Sequence, residues 1–136
     1  MTGGERWFAG AVMEITKQVT FEAAHRLGGP GESAEHGRLH GHSFVLEATL
    51  RGAPDRRTAY VADLSALSAA LGEVARELDH AYLNDLPGLE RPTLERLCAW
   101  AAGRLAPRFA TLARVRVARP SLGEACVLEV PSVDGR

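Results

Sequence analysis

The chain has 136 residues, 46% of them apolar and 24% charged, with a formal net charge of −1. That length suits one domain with a moderate core, and the near-neutral balance argues against nucleic-acid binding and against a disordered tail. No stretch is long enough to span a membrane, and the opening MTGGERWFAGAVM has no basic segment followed by an apolar run, so a signal peptide is not expected and a soluble, cytoplasmic protein is.

Residues 1–12 read as an N-terminal extension, loose or lightly ordered, ahead of a single domain over 13–130 and a short tail over 131–136. From Met13 to Leu27 the apolar positions alternate: Ile15, Val19, Phe21, Ala23 and His25 share one parity, with Lys17 as the exception. This is a long strand with one apolar face. GGPGES breaks it. A second strand runs from His40 to Arg51, with His40, His42, Phe44, Leu46, Ala48 and Leu50 on one face. Two helical stripes follow. Leu64, Leu67, Leu71, Val74 and Leu78 recur at helical spacing behind Asp63, a plausible N-cap; Leu94, Leu97, Cys98, Ala101 and Leu105 form the next stripe behind Thr93. LARVRVAR and EACVLEV close the chain as two short strands around a Pro/Ser/Gly turn. The order β-β-α-α-β-β predicts an α+β fold: a four-stranded antiparallel sheet with both helices on one face. Cys98 and Cys126 lack metal-like spacing and read as reduced core residues. The arginines at 104, 108, 114, 116 and 119 read chiefly as a solvated face.

AEHGRLHGHSF carries His36, His40 and His42. Two residues apart on a strand, His40 and His42 project from the same face. If the two strands pair, His25 comes near them. Three neutral imidazoles leave one position open on zinc, the composition of a catalytic rather than a structural site. The alternative is a set of hydrogen-bonded core histidines. Iron, nickel or copper would also accept three imidazoles. Gly41 suits a crowded backbone at such a site. His80 follows Asp79 at the end of the first helix, where a neighbouring carboxylate can orient an imidazole.

VTFEAAHRL, HGRLHGHSF and LDHAYLNDLPGLERPT together resemble the 6-pyruvoyltetrahydropterin synthase and 6-carboxytetrahydropterin synthase (QueD-like) family over roughly Met13 to Val130. The resemblance implies a T-fold whose subunits associate into a barrel, commonly a hexamer built as a dimer of trimers with sites between subunits. It implies zinc on His25, His40 and His42, and a catalytic Asp79–His80 pair. It also implies a small-molecule substrate, with no nucleic acid or membrane partner. The activity implied is a lyase reaction, with aldol-type and cyclising variants open, that removes a proton next to a zinc-held hydroxyl or carbonyl.

Two positions depart from the family pattern. Four residues before the HGH motif the family has a catalytic cysteine; here the residue is His36, beside Glu35. Three roles are open to it: a proton-transferring base in place of the thiolate, a fourth metal ligand, or an inert replacement. At the end of the third strand the family has a pterin-gripping glutamate; here Arg119 and Pro120 occupy that place. A guanidinium has donors only and suits a carboxylate or phosphate. Arg119, with Glu124 across the turn as a second candidate, is thus expected to bind an altered, acidic substrate; a surface or interface role for Arg119 is the alternative. An ordinary pterin synthase acting on 7,8-dihydroneopterin triphosphate and a non-catalytic zinc-binding oligomer are the competing readings.

Overall fold

The computed structural model describes residues 3–29, 31 and 37–131. A short helix α1 (Gly3–Phe8) precedes strand β1 (Met13–His25), strand β2 (His40–Gly52), helix α2 (Leu64–Leu78), helix α3 (Leu94–Leu105), strand β3 (Leu112–Arg119) and strand β4 (Glu124–Glu129). The strands lie in sequence order in one sheet, every neighbour antiparallel. The α+β architecture is the one the periodicities require. Among the described residues no helix is long and apolar enough to cross a membrane.

Alternation sets which face becomes core. The β1–β2 register pairs Phe21 with Phe44, Val19 with Leu46 and His25 with His40, so the apolar parities of both strands fall on one side. Phe21 and Phe44 stack with ring centroids 4.9 Å apart and planes within 9°. Leu46, Ala48, Leu50, Val115 and Val117 extend this face. Against it pack Leu67, Leu71, Val74 and Leu78 of α2 and Leu94, Leu97, Cys98, Ala101 and Leu105 of α3, all buried. Each helix starts where its cap predicts: Asp63 accepts from the Ser65 N–H at 2.8 Å, and Thr93 from the Arg96 N–H at 3.1 Å.

The first strand stops two residues short of the predicted Leu27. The Asn84 side chain explains the end. Its Oδ1 accepts from the Arg26 N–H at 2.8 Å and its Nδ2 donates to the Arg26 carbonyl at 2.7 Å, satisfying the backbone that a longer strand would have paired. Gly28 and Gly29 follow at φ 143° and 149°, a region that side-chain-bearing residues rarely adopt. The segment after α2 then runs along the free edge of β1: the His80 N–H donates to Glu22 O at 2.6 Å, the Ala24 N–H to Ala81 O at 3.0 Å, and Ala24 bridges Tyr82 in parallel. The sequence offered no sign of this edge cover.

The cysteines are free thiols, Cys98 buried and Cys126 half-buried. Arg104 and Arg108 pair with Glu77 and Glu73 of α2 at 2.9 and 2.6 Å on the exposed side, the solvated face expected of them. Arg114 bonds to Glu14 and lies 3.8 Å from Glu129. Arg119 is set apart from these. It ends β3 on the core-facing parity, 14% exposed.

Candidate metal centre

The core face of the sheet runs out of aliphatic residues at one end, and histidines replace them. His25 and His40 are register partners, and His42 is opposite Ala23 on the same face. The three rings stand nearly perpendicular to one another, at 78–89°, with centroids 4.6–4.8 Å apart. They offer three ligand atoms all within 4.8 Å of each other. Below them Phe44 presents its ring to His25 and His42 at 6.2 and 5.7 Å and fixes the floor.

Backbone carbonyls orient two of the rings. His25 Nδ1 faces Pro92 O at 3.3 Å, and His40 Nδ1 faces Arg38 O at 2.6 Å. A carbonyl only accepts, so each Nδ1 carries the proton and each Nε2 is left as a lone pair. Those two Nε2 atoms lie 3.1 Å apart, and His42 Nε2 is buried with no hydrogen-bond partner among the described residues. Lone pairs converge here and call for a cation between them, and a carbonyl behind the imidazole is a common support for a metal-binding histidine. Burial, chiefly, pushes the His25 pKa down to about 4; the Pro92 carbonyl opposes this, while charge on His42, His40 and Arg119 adds to it. Burial, then Arg119 and His40, also lowers His42. Both shifts favour the neutral imidazole, the form that acts as a ligand. The residues present therefore fit a metal ion with nitrogen ligands. Gly41 is not required by crowding, contrary to the sequence reading: a Cβ there would lie 3.6 Å from Ala23 O, an ordinary contact.

The imidazoles open into a cavity of about 660 Å³ whose wall also holds Arg119, Glu124, Arg38 and three leucines. Arg119 and Glu124 are register partners and form an ion pair at 3.0 Å, with no shift of the strands. The Arg119 Nε is buried and unpartnered among the described residues.

Asp79 and His80 sit elsewhere. His80 adopts φ 58° and its side chain is 81% exposed, with Nδ1 2.9 Å from Asp79 Oδ2. Asp79 Oδ1 accepts from the Glu22 N–H at 2.8 Å. That N–H first, then His80, holds the Asp79 carboxyl below its ordinary range, with burial opposing. His80 lines a second cavity of about 610 Å³, together with Glu22, Ser43 and Tyr82, and this cavity shares His42 with the first. Ser43 donates to both carboxylate oxygens of Glu22, at 2.9 and 2.7 Å. His36 and Glu35 lie outside the described residues. Sequence reasoning missed the two supporting carbonyls and the Glu22–Ser43 pair. Carbonyls carry no residue code, and Glu22 and Ser43 stand at the polar positions of their strands, where such residues are ordinary.

A family model described as 6-pyruvoyl tetrahydropterin synthase matches residues 14–129. The chain belongs to the 6-pyruvoyl tetrahydropterin synthase family. Similar proteins include a 6-carboxy-5,6,7,8-tetrahydropterin synthase from Synechocystis, 43% identical over 98 residues, covering 67% of this chain and 73% of the relative. A dihydroneopterin monophosphate aldolase from Pyrococcus furiosus is 33% identical over 91 residues, with the same coverage of 67% and 73%. Among solved structures, 6-pyruvoyl tetrahydropterin synthase from Caenorhabditis elegans superposes with a TM-score of 0.76 at 22% identity, over 89% of this chain and 97% of that one. The T-fold of the 6-pyruvoyl tetrahydropterin synthase family is thus the fold of this chain, and its three-histidine cluster is positioned to bind a metal ion.

Proposed function

We propose that the protein is a zinc-dependent lyase that removes a proton from the carbon next to a substrate hydroxyl or carbonyl. The observation that carries this reading is the convergence of His25, His40 and His42 on the wall of a cavity, with Nε2 of His25 and His40 left as lone pairs. When bound there, zinc would supply Lewis acidity, drawing charge onto the substrate oxygen and acidifying the adjacent C–H. Two further groups divide the proton work. Asp79 Oδ2 holds the Nδ1 proton of His80, which leaves Nε2 to take or return a proton and stabilises the imidazolium formed. His36 is assigned the base that a thiolate provides elsewhere in the family, its ordinary pKa already near neutral.

His80 is open to solvent in the single chain. We assign assembly into a homo-oligomer, a hexamer as a dimer of trimers, in which a neighbouring copy would close over the dyad. Exchange with the cytoplasm fits a small-molecule enzyme of this kind.

The substrate is assigned as an altered, acidic molecule, because Arg119 offers donors where a pterin would need an acceptor. One observation favours a second reading, an ordinary pterin synthase: the similar Synechocystis protein carries the name 6-carboxy-5,6,7,8-tetrahydropterin synthase. Incubating zinc-loaded protein with 7,8-dihydroneopterin triphosphate and following products by mass spectrometry separates the two. The altered-substrate reading expects no turnover with zinc shown to be bound; clear turnover would establish the pterin reading instead.

A further inference from the structure

Among the described residues two buried side-chain atoms lack a hydrogen-bond partner, His42 Nε2 and Arg119 Nε, and both residues line the same cavity. Buried polar atoms are nearly always satisfied, so such a pair calls for a ligand. The two want opposite things. His42 Nε2, in the neutral tautomer protonated at Nδ1, can give a lone pair to a cation, and Arg119 Nε has a proton to give to an acceptor. Their spacing is short. Ala118 pairs with Val45, which sets Arg119 across from Phe44 and one diagonal step from His42 on the same face, roughly 7–8 Å between positions. Both side chains line the one cavity.

Charge points to the acceptor. The wall holds two guanidiniums, Arg38 and Arg119, and one carboxylate, Glu124, beside a site suited to a divalent ion. Glu124 meets Arg119 at Nη2, and Nε alone is left without a partner among the described residues. An anion would supply the acceptor that Nε lacks, through a charge-assisted hydrogen bond. Phosphate shares that chemistry; a carboxylate is favoured because it can sit directly on the carbon next to the reacting oxygen, and the test below separates the two anions.

We infer that Arg119 is the specificity-determining residue of this site, reading the carboxylate of a 2-oxo or 2-hydroxy acid whose neighbouring oxygen faces the three imidazoles. This rests on the metal-site reading above and names its substrate class.

The test uses the full chain loaded with Co²⁺ and oxamate, a 2-oxo carboxylate with no C–H to lose. Binding is read by calorimetry and by the visible cobalt bands. Oxamate is expected to shift the bands, and its Kd to rise about 30-fold in Arg119→Met and about 10-fold in Arg119→Lys. Acetamide, which has the carbonyl and no carboxylate, is expected to bind all three proteins equally. Equal oxamate affinity in wild type and Arg119→Met overturns the inference, as does inorganic phosphate binding more tightly than oxamate with the same dependence on Arg119. If Arg119→Met does not fold, an unchanged affinity in Arg119→Lys overturns it instead. Absence of cobalt bands in the wild type would sink the metal reading; intact bands with oxamate binding indifferent to Arg119 would sink this inference alone.

Discussion

Titrating the metal-free protein tests the burial of His25 quantitatively. His25 is 1% exposed, and its folded pKa is lowered from 6.5 to about 4. The unfolded chain therefore binds the proton more tightly than the folded one. Stability from this group is fully present above pH 6.5, is lost as pH falls from 6.5 toward 4, and is gone below that. A gap of that size is worth about 3 kcal/mol, with a steepest slope near 1.4 kcal/mol per pH unit. The lowered carboxyls of Glu14, Asp55 and Asp79 titrate below ordinary values of 3.8–4.5, so the upper part of the window belongs to the histidines. His42 is shifted the same way and adds to the wild-type slope. The assay is urea unfolding after EDTA treatment, at one protein concentration, from pH 4.5 to 7.5, in wild type and His25→Gln. The difference between the two curves isolates His25. Wild type should lose about 2–3 kcal/mol more than the variant across that range. Parallel curves would mean that His25 is hydrated and chargeable in the folded protein, and the argument for a ready set of neutral ligands would fail.

Other predictions follow from the supports of the site. Phe44→Ala removes a buried ring stacked on Phe21 and should cost about 3–5 kcal/mol by denaturant unfolding, whereas Phe44→Leu should cost much less yet still weaken metal binding. Thr93→Ala should lower stability by about 1 kcal/mol, and because Thr93 follows the Pro92 carbonyl that orients His25, metal affinity measured by competition with a chelator should fall as well. His80→Gln should leave metal content intact and slow substrate proton exchange with deuterated solvent, followed by NMR; unchanged exchange would remove His80 from the proton path.

The hairpin, both helices and their caps were legible because each rests on local periodicity: alternation placed His25, His40 and His42 on one face before any coordinates. What stayed hidden depended on backbone groups and on distant pairing. Nothing in Pro92 or Arg38 as residue types announces a carbonyl aimed at an imidazole. Asn84 ends β1 across 58 residues of sequence, beyond the reach of any window. Arg119 stood out only as a departure from the family pattern, and the structure places it on the wall of the same cavity as the histidines, with its Nε buried. His36, the most suggestive substitution in the sequence, lies outside the described residues, so its role passes to experiment.

The central claim is a metal ion held by three histidines. Titrating Co²⁺ into metal-free wild type and His42→Ala, while recording the visible spectrum, tests it most directly. The account predicts saturation at one equivalent per chain with strong low-symmetry bands in the wild type, and their loss in the variant while the fold, checked by circular dichroism, survives. Bands of equal strength in both proteins, or none in the wild type, would contradict it.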